Sequence, residues 1–169
     1  KGTPAEAGFS SSDNGLRVYN NNSAESRTVT VSRVEASSDC PTNTGYMINI
    51  QTTPGSTKPG LGGFCHETYP EKGKNYYHKI LAKIPDGYYI EYKSNDISGS
   101  FEWLSENKGT GDWETYVYKL SVDDDATSLE TFGYMALYPE GELSTGNGDL
   151  VTTDKTVSWF IAYSNVFSQ

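Results

Sequence analysis

The stretch "NYYHKILAKIPDGYYIEYKS", Asn75 to Ser94, carries the clearest structural signal in the chain. In its first half Ile80, Ala82 and Ile84 share one phase of a two-residue period, and Tyr77, Lys79, Leu81 and Lys83 share the other. Successive side chains of a strand point to opposite faces, so one phase is core and the other looks outward. Lysines seldom enter a core, which sets the phase: the isoleucines go in and the lysines out. After Pro85, the pair Asp86 and Gly87 marks a tight turn. The second half then places Tyr88, Ile90 and Tyr92 inward and Tyr89, Glu91 and Lys93 outward. Read as a hairpin, the two strands lie about 4.8 Å apart, and their outward groups join into one patch about as wide as a sugar ring.

The same period recurs along the chain. "GLRVY", "RTVTVSRV", "GYMINI", "LGGFCHETY", "SFEWL", "DWETYVYKLSV", "TFGYMALYP" and "TVSWFIAYSNVF" alternate between turn signals rich in Gly, Pro, Asn and Asp. No stretch carries helical periodicity. About ten strands in one chain of this length predict an all-β fold, a two-sheet antiparallel β-sandwich or jelly roll. In "SENKGTGDWETYVYKL", Ser105 to Leu120, Gly109 and Gly111 punctuate a turn before a strand. Tyr116, Tyr118 and Leu120 take its core face, and Trp113, Thr115, Val117 and Lys119 the other. In "TFGYMALY", Met135 and Leu137 suit the core, which leaves Phe132, Tyr134 and Tyr138 on the wet side. Residues 1–14 are small and polar and read as a linker or arm before a single domain over 15–169. Starting at Lys1, the chain reads as a piece of something longer.

The composition narrows the partners. Formal net charge is −9 over 169 residues, which argues against a nucleic-acid backbone or an anionic membrane as partner. No apolar run approaches a membrane span; the longest, "WFIAY", is strand-like. Thirteen Tyr, six Phe and three Trp are too many aromatics for disorder. The two cysteines, Cys40 and Cys65, either bridge neighbouring strands or are two small buried side chains.

Catalytic signatures are thin. No compact metal spacing, nucleophile elbow or phosphate loop is present. His78 sits on the apolar phase of its strand and reads as a core or rim histidine. Glu91, Glu102 and Glu114 lie on strand candidates, where solvated rim carboxylates are expected, although a glycoside hydrolase runs on two such groups. Asp123 to Asp125, and "STGNGDL" around Asn147 and Asp149, offer oxygen ligands for a structural calcium but lack EF-hand spacing and read as polar turns. No other cofactor is implied. What stands out is aromatics set among amides, hydroxyls and short charges. A pyranose packs its C–H face on an aromatic ring and needs directional donors and acceptors around it. The candidate ligand-binding residues are Tyr77, Lys79, Tyr89, Glu91, Trp103, Trp113 and Tyr134. Trp113, at the start of its strand, is either a sugar platform or a plug over the end of the sandwich.

With these residues in view, the chain resembles the jelly-roll glycan-binding modules. The resemblance rests on an early "GYMINI" strand, the "YYHKILAKIPDGYYI" segment, a Gly-x-Trp-x-x-Tyr strand at Gly111, Trp113 and Tyr116, and the closing "VSWFIAYSNVF". "AKIPDGYYIEYKSNDI" and "WLSENKGTGDWETYVYKL" further resemble lectin-like modules of bacteriophage fibre and virion proteins. It covers roughly Gly45 to Phe167 and favours the plug for Trp113. It implies a non-catalytic carbohydrate-binding module on a larger extracellular or virion-surface protein, with a polysaccharide or cell-surface glycan as partner. The alternatives are a structural or assembly domain of a virion fibre or decoration protein and, after that, a β-sandwich glycosidase or polysaccharide lyase.

Overall fold

The computed structural model describes residues 16–19, 28–53, 62–93, 97–129, 132–141 and 156–169. Ten strands lie within them: β1 Leu16–Tyr19, β2 Thr28–Glu35, β3 Tyr46–Thr53, β4 Gly63–Thr68, β5 Asn75–Lys83, β6 Tyr88–Lys93, β7 Gly99–Trp103, β8 Trp113–Val122, β9 Phe132–Pro139 and β10 Val157–Ser168. They form a four-stranded sheet, β1-β4-β9-β6, and a six-stranded sheet, β2-β3-β10-β5-β8-β7. Every pairing is antiparallel. The all-β sandwich expected from the period-two runs is the fold of the protein. The expected arm over residues 1–14, and the turn around Asn147 and Asp149, lie outside the described residues.

The phases read from β5 and β8 hold. Tyr76, His78, Ile80, Ala82 and Ile84 are buried, and Ile80 faces Tyr116 while Tyr76 faces Leu120 across the β5–β8 ladder. Opposite them the four-stranded sheet contributes Phe64, Ile90, Tyr92, Phe132, Met135 and Leu137 to one continuous core, with Trp159 from β10 fully enclosed. Burying an Ile or Leu side chain of this kind contributes about 1.5–3 kcal/mol.

Two expectations are corrected. The first is the hairpin: β5 pairs with β10 and β8, whereas β6 pairs with β9 in the other sheet. The Pro-Asp-Gly bend carries the chain from one layer to the other, so Tyr77 and Lys79 share no patch with Tyr89 and Glu91. The phase of β6 still stands: Ile90 and Tyr92 are buried, and Tyr88 packs against the core. Lys93's side chain lies outside the described residues. Consecutive strands pair only at β2–β3 and β7–β8; every other step along the chain changes sheet.

The second is β9, whose Phe132 and Tyr138 are fully buried and whose Tyr134 is half-buried. The β4–β9 register breaks between Cys65 and Thr68, a β-bulge that turns Phe132 back into the core against Tyr92, with ring centroids 4.8 Å apart. Gly133 makes the bulge feasible: its φ is 127°, and a Cβ there would collide with the His66 carbonyl oxygen.

No disulfide joins Cys40 and Cys65. Cys65 lies in β4 of the small sheet, and Cys40 lies in the β2–β3 connection of the large one. Cys65 shares the outward phase of the small sheet with Tyr134 and Ala136, so its thiol points away from the large sheet and from Cys40.

Candidate functional site

The outward face of the six-stranded sheet is built from the non-core phase of three adjacent strands. β5 supplies Tyr77, Lys79, Leu81 and Lys83, and β8 supplies Trp113, Thr115, Val117 and Lys119. β10 supplies Tyr163, Asn165 and Phe167, paired with Leu81, Lys79 and Tyr77. Tyr77 and Phe167 stack with centroids 5.4 Å apart and planes 14° apart. Phe167 is 40% exposed and Tyr163 42%, so both present ring area to solvent. At ~3.3 Å per residue, Tyr163 stands ~13 Å along β10 from Phe167, about the length of a short oligosaccharide. Lys79 and Asn165 occupy the row between these aromatic stations.

The ends of this face are fixed by local interactions. The β2–β3 connection, residues 36–45, folds over one end: Asp39 pairs with Lys83, and Ser37 Oγ contacts Met47 Sδ at 3.7 Å. The Lys83 hydrogen bond, followed by one from Ser37, holds the Asp39 carboxyl down at about 2. At the other end Lys119 pairs with Glu102 at 3.0 Å. Beyond Thr115 the face runs into a cleft of about 270 Å³ lined by Glu106, Lys108, Thr110, Glu114, Thr115 and Tyr116. The β7–β8 connection shapes this cleft by tying itself to the other layer: Gly109 N–H donates to the Tyr88 carbonyl at 2.8 Å and Asn107 Nδ2 to the Ile90 carbonyl at 2.9 Å. Both glutamates of the cleft stand exposed.

Of the residues expected at a site, only Tyr77, Lys79 and Trp113 belong to this face. Trp113 is half-buried and its Nε1–H is enclosed without a partner, which suits a plug better than an open platform. Tyr89, Glu91 and Tyr134 belong to the outward phase of the four-stranded sheet instead. Tyr89 stacks on Tyr138 there, and Tyr134 meets Tyr19 edge-on at 5.0 Å. Cys65, Ala136 and Tyr138 share that phase and are 0% exposed, so that side is covered. Trp103 sits at the rim between the sheets. Its indole packs edge-on against Tyr118 at 4.8 Å, and its Nε1–H donates to Glu91 Oε1 at 3.1 Å. It closes an edge of the sandwich.

Sequence reasoning missed Tyr163, Asn165 and Phe167. In β10, Trp159 and Ile161 point inward, and strict alternation sends the next odd-numbered residues the same way. A bulge between Ile161 and Tyr163 reverses the phase, so Ser164 faces in and its neighbours face out. Nothing in "FIAYSNVF" marks the extra residue.

Ser164 completes a polar set inside the sandwich. Its Oγ lies 2.9 Å from His66 Nδ1 and 2.9 Å from His78 Nε2, joining β4 of one sheet to β5 and β10 of the other. A hydroxyl has one proton to give, so it donates to one imidazole and accepts from the other. Burial pushes His78 down to about 3, with His66 adding to the shift, and burial lowers His66 as well. His78 is a core histidine, as its phase predicted.

Asp123 to Asp125 form an exposed turn after β8, in which the Ala126 N–H donates to the Asp123 carbonyl at 3.2 Å. Among the described residues no three His, Cys, Asp or Glu side chains gather to hold a metal ion. Comparison with protein-family models, curated proteins and solved structures finds no match.

Proposed function

We propose that this domain is a non-catalytic glycan-binding module carried by a larger extracellular or virion protein, and that the glycan lies along the outward face of the six-stranded sheet. The observation that carries the reading is the solvent-facing Tyr77–Phe167 stack, with Tyr163 a short oligosaccharide's length away on the same strand. Ring faces at that spacing suit the C–H faces of pyranoses, and Asn165, Lys79 and Thr115 supply hydrogen-bonding groups beside them. Rings held on paired strands lose little freedom on binding. The other side of the sandwich suits the role less well, since its central residues are covered.

The test is calorimetry of the purified domain against a broad panel of plant, bacterial and host polysaccharides. Phe167→Ala is expected to weaken binding by about 1–3 kcal/mol, the loss typical of a central anchor. The exposed ring contributes little to the core, so melting should barely change. No binding across the panel, together with a stable trimer by light scattering, would replace this reading with an assembly role for the same face.

A further inference from the structure

Three lysines stand on the outward face of the six-stranded sheet, and two are neutralised within the protein. Lys83 pairs with Asp39, and Lys119 with Glu102. Lys79 has no carboxylate partner among the described residues. It is exposed, it lies on a central strand, and its ladder neighbours are Asn165 and Val117, neither of them charged. Lysine is a poor strand former. An uncompensated lysine between two aromatic stations places a local positive centre on this face of a chain whose net charge is −9.

Taking the glycan-binding reading as its basis, we infer that the ligand is an acidic polysaccharide, and specifically a uronate whose carboxylate is received by Lys79 and Asn165. The rows on either side of Lys79 lie ~6.7 Å away along the strand, so a sugar on the Tyr77–Phe167 stack or beside Tyr163 holds a ring substituent within reach of the ammonium. Lysine donates from a point charge, and the Asn165 amide offers two further N–H groups beside it. One cation with one amide matches a planar, singly charged carboxylate. A sulfate-rich chain carries a higher charge density and is met by clusters of basic residues, which this face lacks.

The experiment compares uronate oligosaccharides (galacturonate, mannuronate, guluronate and glucuronate-containing) with their carboxyl-reduced neutral counterparts, and with a sulfated glycosaminoglycan. Titration calorimetry at low and physiological salt gives the affinities. The native domain is expected to bind at least one uronate about five- to tenfold more tightly than its reduced form, with the preference shrinking as salt rises. Lys79→Gln should abolish the preference, weakening the uronate far more than the reduced sugar, and Lys79→Arg should retain it. Melting curves of both variants check that the sheet is intact. Equal binding of uronate and reduced sugar, a preference that survives Lys79→Gln, or tighter binding of the sulfated chain each overturns the inference and leaves glycan binding standing. Binding to none of these sugars overturns the inference, and binding to none of the broad polysaccharide panel as well overturns both.

Discussion

The polar set at Ser164 makes the stability of this domain depend on acid in a way that can be worked out from His78 alone. Its imidazole is 0% exposed, and burial holds its pKa near 3 against an ordinary 6.5. The charged form is the one penalised. An unfolded chain therefore takes up a proton at this residue as pH falls through 6.5, and the folded chain does so only near 3. Stability is present in full above 6.5 and is lost as pH falls toward 3. Lowering pH from 7 to 5 crosses the unfolded value only, and should destabilise the domain by about 2 kcal/mol from this one proton. His66 shifts in the same direction and adds to the loss. Asp39 acts in a separate window: its folded value of about 2 against 3.8 stabilises above 3.8 and is lost only below it. Urea unfolding at pH 7, 6 and 5, followed by fluorescence of the enclosed Trp159, measures the slope. His78→Gln, whose amide can still reach Ser164, should flatten it. An unchanged urea midpoint between pH 7 and pH 5 would show that His78 does not set the acid sensitivity, as would a His78 ring whose carbon resonances titrate above pH 5 in the folded protein. Ser164 lies between Tyr163 and Asn165 on β10, so protonation here loosens the strand that carries half of the proposed binding face.

Gly133→Ala should cost about 3 kcal/mol or more, because alanine is strained at a φ of 127° and its Cβ collides with the His66 carbonyl; a urea midpoint equal to the parent's would show that the β4–β9 bulge relaxes freely. In the native protein a thiol reagent should label half-buried Cys40, and Cys65 only after unfolding; two thiols reacting equally fast without denaturant would contradict the burial of β4.

The direction of side chains within a strand follows from local alternation alone. Lys79 and Lys83 alternate with Ile80, Ala82 and Ile84, and no arrangement of sheets changes which of them lie together on one face of β5. The same local alternation set the phase of β6 and β8, and ten such runs without helical period set the all-β class. Two kinds of choice belonged to the tertiary structure. One is partnership: Pro85, Asp86 and Gly87 make a bend whether the flanking strands pair or part, and only competition among all strands put β5 beside β10 and β6 beside β9. The other is the bulge. A single extra residue before Tyr163 in β10 reverses every side chain beyond it, and the β4–β9 bulge opposite Gly133 turns Phe132 to the core face. Their insertion is stabilised by contacts from distant parts of the chain, namely Phe132 on Tyr92 and Ser164 on two histidines, and these leave no trace in the local pattern of apolar and polar residues. For that reason Tyr77 and Lys79 were legible as outward groups, whereas Tyr163, Asn165 and Phe167, which complete their face, were not.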